Sequence, residues 1–194
     1  MAGGRGGQSD TPSRASNVLL FEDTLPTTGD EWQKDVEANM QWFESEPWFA
    51  DAQAALAQET TARTDEQMTA VFRREAPLYF ADYTHRKAEF DPMIAQMRVF
   101  VAPAQGGVDP SAPADVGVTL PFDVRAQLPS IKVPTLVVVG ARDFVCSTKM
   151  AQIIHDGIAG SQLVKLPKSG HMGHVEEPAA FASAVRTFVG AQTR

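Results

Sequence analysis

The sequence predicts an α/β fold, with C-terminal parallel strands flanked by helices and a separate helical layer beside them. Three observations carry this expectation. After Pro134 the run TLVVVG is continuously apolar and β-branched, the pattern of a strand buried on both faces of a parallel sheet. A helical apolar stripe, a second short apolar run (QLVKLP) and another helical pattern follow it, and strand, helix, strand, helix is a right-handed parallel unit. From residue 28 to 100 the apolar residues recur instead at three- and four-residue spacing.

Taken in order, residues 1–16 are Gly-, Ser- and Arg-rich without periodicity and read as a flexible head. SNVLLFEDT then predicts a buried strand over Asn17 to Phe21, so that 17–27 form a first core strand and its exit. Thr28 and Glu31 stand at capping-box spacing, and Trp32, Val36, Met40 and Phe43 give the stripe of a first amphipathic helix. A second helix opens at Thr64, with Gln67 at the capping-box position and Met68, Val71 and Phe72 on its face; Ala81 to Phe100 is a candidate third. Residues 28–100 are thus a helical layer, 101–121 a Pro/Gly-rich loop, and 122–194 the C-terminal α/β core. In that core, Ser147 to Ile158 predicts a helix with Met150, Ile153, Ile154 and Ile158 inward. Pro178 opens the last helix, with Phe181, Val185, Phe188 and Val189 inward. No internal repeat is visible.

At 194 residues the chain suits one domain with an appendage, and 43% hydrophobic with 21% charged residues is a globular profile. A formal charge of -7 without a Lys/Arg cluster argues against nucleic acid as a partner. No apolar run approaches the ~20 residues of a membrane span, and the first residues lack the apolar stretch of a secretion signal, so no membrane partner and a cytoplasmic location are expected. The single Cys146 cannot make an internal disulfide or a cysteine zinc cluster.

The polar residues that invite chemistry are Asp143 in VGARDF and His171 in KSGH, each just beyond the carboxyl end of a predicted strand, where open parallel sheets gather functional groups. An Asp followed by a His 28 residues later suits the last two members of a nucleophile–acid–histidine triad. In that scheme His171 moves the nucleophile's proton and Asp143 holds the imidazole and stabilises its cation. The competing reading has Asp143 capping the next helix and His171 as a satisfied loop histidine. Gly170 favours chemistry, because a close backbone approach needs a residue without Cβ. His174 and the nearby Glu176 and Glu177 lack a recognised zinc framework. The expected role of His174 is to fix the loop by hydrogen bonds, with Glu176 and Glu177 on the dipole of the last helix. Cys146, on the loop of Asp143, is expected to pack as a small hydrophobe.

The segment from LPSIKVPTLVVVGARDF to SGHMGHVEEPAAFASAVRTFV resembles the C-terminal end of an α/β-hydrolase, and in particular the proline iminopeptidase-like group of serine peptidases. SNVLLFEDT is similar to the strand after that family's nucleophile helix, and the helical layer occupies the place of its cap. The similarity covers about residues 16 to 190. It implies a hydrolase that releases N-terminal residues, usually proline, from peptides through a Ser-Asp-His triad, with Asp143 and His171 as acid and base and no cofactor. It also implies that cap carboxylates, among Glu31, Glu37, Glu44, Glu46 and Glu75, meet the substrate's free amine. Ser147 stands where relatives often have proline, which bears on the start of the following helix.

The larger departure concerns the nucleophile, since no serine lies in a G-x-S-x-G elbow; Ser9 in GQSDT comes nearest, with Thr11 in place of the second glycine. RGGQSDTP resembles the family's RGxGxSD loop, one residue short, which would mean that an internal stretch holding the elbow has been lost. The expected partners are then a small peptide or ester substrate, and an N-terminal half or a second copy meeting an exposed sheet edge. The alternatives are an esterase or lactonase of the same superfamily, or an inactive remnant serving as an interaction module.

Overall fold

The apolar run TLVVVG is the centre of the molecule. In the computed structural model, which describes residues 18–101 and 121–192, it is strand β2 (Thr135–Gly140), buried along its whole length. The head with Ser9, Asn17, and the Pro/Gly-rich loop apart from its end residues lie outside the described residues. β2 pairs in parallel with β1 (Leu19–Glu22) on one side and β3 (Gln162–Leu166) on the other, giving the order β1-β2-β3. Alternation along β2 sends Val137 and Val139 to one face and Leu136 and Val138 to the other.

On the first face packs α5 (Thr148–Gly157), through Ala151 and Ile154, with Ile158 just beyond its end. On the second packs α7 (Pro178–Gln192), through Phe181, Val185 and Phe188. Each fully buried aliphatic side chain contributes roughly 1.5–3 kcal/mol, so these two faces supply most of the core's cohesion. Val189, expected inward, is 39% exposed: one step past Phe188 turns a side chain by about 100° around the helix, away from the sheet. Ser147 is the N-cap of α5, its Oγ accepting from the Met150 N–H at 3.4 Å.

The helical layer has four helices where the periodicity predicted three: α1 (Asp30–Met40), α2 (Phe49–Leu56), α3 (Asp65–Glu75) and α4 (Tyr83–Ile94). α2 escaped notice because its buried residues are Ala52 and Ala55, too small to mark a stripe. α4 ends at Ile94, earlier than expected, and is kinked at Arg86 with Pro92 inside. The capping box at Thr28 is not formed. The Thr28 hydroxyl accepts from the Phe122 N–H at 3.0 Å, pinning the exit from β1 to residues 122–124, and Gly29 becomes the N-cap of α1. The cap at Thr64 is formed, with its Oγ1 accepting from the Gln67 N–H at 3.2 Å. Thr64→Ala is expected to cost about 1 kcal/mol. Urea unfolding checks this as a lower midpoint at constant m-value, and an unmoved midpoint would refute the cap.

Candidate active site

Three parallel strands end at one edge, and the site is assembled there. The loops after β2 and β3 are stitched together by Ala141 N–H to Leu166 O and Arg142 N–H to Ser169 O, both 2.9 Å. They approach so closely that a Cβ on Gly140 would lie 1.9 Å from the Gly170 carbonyl oxygen. Gly170 is itself pressed against the helical layer, where a Cβ would lie 2.7 Å from the Tyr79 carbonyl oxygen.

Asp143 is 1% exposed. Its Oδ1 accepts from the Val145 and Cys146 N–H groups at 3.0 and 2.8 Å, and its Oδ2 lies 3.1 Å from His171 Nδ1. One oxygen of Asp143 thus closes a turn and the other engages the histidine, while the helix cap expected of Asp143 in the competing reading falls to Ser147. His171 is anchored by its own N–H to Tyr79 O at 2.8 Å, and its ring meets the Tyr79 ring edge-on at 5.3 Å. With Nδ1–H donating to Asp143, Nε2 is left as the ring's acceptor, the tautomer a general base needs. Burial pulls the imidazole's pKa down, but the hydrogen bond and charge of Asp143, together with Asp23 and Glu22, outweigh it and leave the pKa raised.

Glu176 and Glu177 do more than sit on a helix dipole. A short helix, α6 (Gly173–Glu176), precedes α7, and the buried Glu176 carboxylate accepts from Gly170 N–H at 2.6 Å and Ala81 N–H at 2.8 Å. It thereby ties the histidine loop to the helical layer, and burial pushes its pKa up to about 7. Glu177 accepts from Lys168 N–H and Ser169 Oγ at 2.7 and 2.8 Å. These carboxylates are spent on loop N–H groups because the tight turn leaves those donors without other partners. His174 is exposed and holds the loop as expected, its N–H and Nδ1 each 3.2 Å from Glu22 Oε1.

Cys146 is buried, and its thiol is pushed well up by that burial and by the charges of Asp143 and Asp23. It packs as a hydrophobe rather than as a thiolate. Two sets of donor atoms gather within 4.8 Å: Asp143, Cys146 and His171, and separately Glu22, Asp23 and His174. Within the first set Asp143 and His171 are hydrogen-bonded, and within the second Glu22 and His174. Sequence reasoning missed Asp23, whose position at the end of β1 was the available signal, and Tyr79, which lies just after α3 and gave no signal at all.

Three parallel strands, helices on both faces, a further helical layer, and an acid and a histidine at the carboxyl edge form a recognisable arrangement. The chain superposes on a proline iminopeptidase from Mycobacterium smegmatis with a TM-score of 0.55 at 19% identity, over 91% of this chain and 57% of that one. This is an α/β-hydrolase fold. Partial sequence relatives also support the α/β-hydrolase superfamily. The chain is 39% identical over 74 residues to a proline iminopeptidase of Saccharolobus solfataricus, covering 38% of this chain and 24% of that protein. It is 36% identical over 67 residues to a pimeloyl-[acyl-carrier protein] methyl ester esterase of Neisseria meningitidis, covering 34% and 26%. The matched segments thus span about a quarter of those relatives' length. No family model matches the sequence. Among the described residues, no helix of this α/β-hydrolase fold is long and apolar enough to cross a membrane.

Proposed function

We propose that Asp143 and His171 are the acid and base of a hydrolytic site, and that its substrate is a short peptide from which the N-terminal residue, usually proline, is released. The observation that carries this reading is the 3.1 Å contact between Asp143 Oδ2 and His171 Nδ1 at the carboxyl edge of a parallel sheet. His171 Nε2 takes the proton of the attacking hydroxyl and later gives it to the leaving amine, while Asp143 keeps Nδ1 protonated and balances the imidazolium. The attacking serine comes from a G-x-S-x-G elbow on a partnering segment. That segment docks along β1, where Leu20 is 42% exposed beside an apolar cleft lined by Phe21, Leu25, Val124 and Ile131.

A peptide substrate is favoured over an ester by the cap. Glu31 is ion-paired with Arg125 and Lys149, Glu46 accepts from the Thr84 hydroxyl, and Glu37 and Glu44 are exposed. Glu75 differs: it is fully buried on α3, beside Glu59 and Tyr79, and precedes by one turn the tyrosine that packs on His171. A substrate ammonium brought beside this carboxyl would favour its ionised form and pair with it.

The test assays the chain alone and joined to an N-terminal α/β-hydrolase half that carries the elbow, on proline p-nitroanilide and short p-nitrophenyl esters. The expected result is anilide hydrolysis and fluorophosphonate labelling of the elbow serine in the joined form, with hydrolysis lost in His171→Ala. Cleavage of esters alone would replace this reading by the esterase or lactonase one. No labelling in either form, with dimers or larger species on size exclusion, would favour the interaction module.

A further inference from the structure

We propose that Asp23 is a second carboxylate for His171, a positioning residue that faces the same ring nitrogen as Asp143 from the neighbouring strand. The inference rests on the acid–base reading of Asp143 and His171 given above. Asp23 directly follows β1, so the parallel sheet delivers it to the same edge as the loops after β2 and β3. Its Oδ1 lies 3.7 Å from His171 Nδ1, against 3.1 Å for Asp143 Oδ2. The two acids therefore bracket one N–H, which donates to Asp143 and lies in the field of Asp23.

Two features separate Asp23 from an ordinary turn residue. Its backbone is left-handed, with φ of 53°, and it is the one non-glycine in that region among the described residues. The turn itself is closed by its neighbour, since the Thr24 hydroxyl donates to Glu22 O at 2.8 Å, so glycine at 23 would serve the turn at about 1 kcal/mol less strain. Its side chain is also largely buried, and its carboxyl makes no other ion pair in the described part of the molecule. Burial raises its pKa to about 6, partly offset by the charge of His171. A strained, desolvated acid whose nearest opposite charge is the imidazole is one the fold retains for that imidazole.

The physical consequence is a cation shared by two acids. When His171 takes up a proton at Nε2, the positive charge is balanced by Asp143, fixed by its turn hydrogen bonds, and by Asp23, which carries none of those constraints. Removing Asp143 would then leave the ring with an acceptor on the Nδ1 side. The other groups facing His171 are Glu22 beside Asp23, Cys146 beside Asp143, Tyr79 from the cap and His174 from α6; any titration read at the ring is a macroscopic property of this set.

The experiment is an NMR titration of the His171 ring in the chain as it stands, its resonance assigned by its loss in His171→Gln. It compares the parent with Asp23→Gly, Asp23→Asn and Asp143→Asn. An opposite charge within 4–6 Å typically moves a pKa by one to three units, so both Asp23 variants are expected to lower the His171 pKa by about half a unit or more. Asp23→Gly, which suits a left-handed backbone, should do so while the melting temperature holds or rises, which a purely structural role would not produce. If neither Asp23 variant moves the ring titration while Asp143→Asn does, the second-carboxylate assignment is wrong and the acid–base pair stands. If Asp143→Asn also leaves it unmoved, both assignments fall.

Discussion

Gly140→Ala is expected to destabilise the chain by about 3 kcal/mol or more, among the largest effects of any single methyl group in this molecule. The added Cβ would lie 1.9 Å from the Gly170 carbonyl oxygen and 2.6 Å from that of Ser169, and both are backbone atoms of the loop that holds His171. Neither can swing aside as a flexible side chain would, so β2 and the histidine loop must part. The hydrogen bonds Arg142 N–H to Ser169 O and His171 Nδ1 to Asp143 span that same gap. Gly160→Ala is the control: its φ of 79° makes alanine strained, but no atom lies within 4 Å of the new Cβ, so only about 1–2 kcal/mol is expected. Urea midpoints for the two variants decide the matter. Equal losses would mean that the loops do not approach as described.

Stability is expected to peak near pH 5 and to fall by about 3 kcal/mol or more by pH 8.5, the reverse of the usual acid sensitivity. Burial, then the charge of Glu59, push Glu75 up to about 8, and burial pushes Glu176 up to about 7, from an ordinary 4.5. Between 4.5 and those values the folded chain binds protons that the unfolded chain has released, so unfolding becomes easier as pH rises. At about 1.4 kcal/mol per pH unit, each ionised carboxyl costs on the order of 3–5 kcal/mol, and relaxation around the charge reduces that figure. Asp23, raised to about 6, and His171, also raised, act with the same sign. Acids with depressed pKa, such as Asp51 beside Arg74 and Asp123 beside Arg125, weaken the fold only below their ordinary range and are exposed. The measurement is the urea midpoint against pH at low protein concentration, because the sequence pI of about 5.0 lowers solubility there. Glu75→Gln should flatten the slope above pH 6, and an unchanged slope would rule out Glu75 as its source.

The split between legible and illegible features follows the range of the forces involved. β2, α5, β3 and α7 could be read from the chain because local period and burial coincide there; Ser147 to Ile158, for example, brackets α5 by one cap residue at each end. The pairing of Asp143 with His171 was also legible, since both follow strands whose parallel order fixes a common edge. Thr28 misled because its hydroxyl was claimed by Phe122, 94 residues away, and α2 was missed because buried alanines leave no stripe. Glu176 looked like a helix-start residue and is instead the buried link between Gly170 and Ala81 of the helical layer.

By itself, then, the amino-acid order determined an α/β chain with parallel strands and placed an acid and a histidine at the ends of two of them, because period, turn chemistry and strand ends are properties of neighbouring residues. Only the tertiary structure decided that Asp23 meets the same imidazole, that Tyr79 backs it, and that Glu75 is the acid of the helical layer buried completely. Those outcomes depend on which polar groups are desolvated together and which find partners across 50 to 150 residues of chain, as in the link from Asp23 to His171.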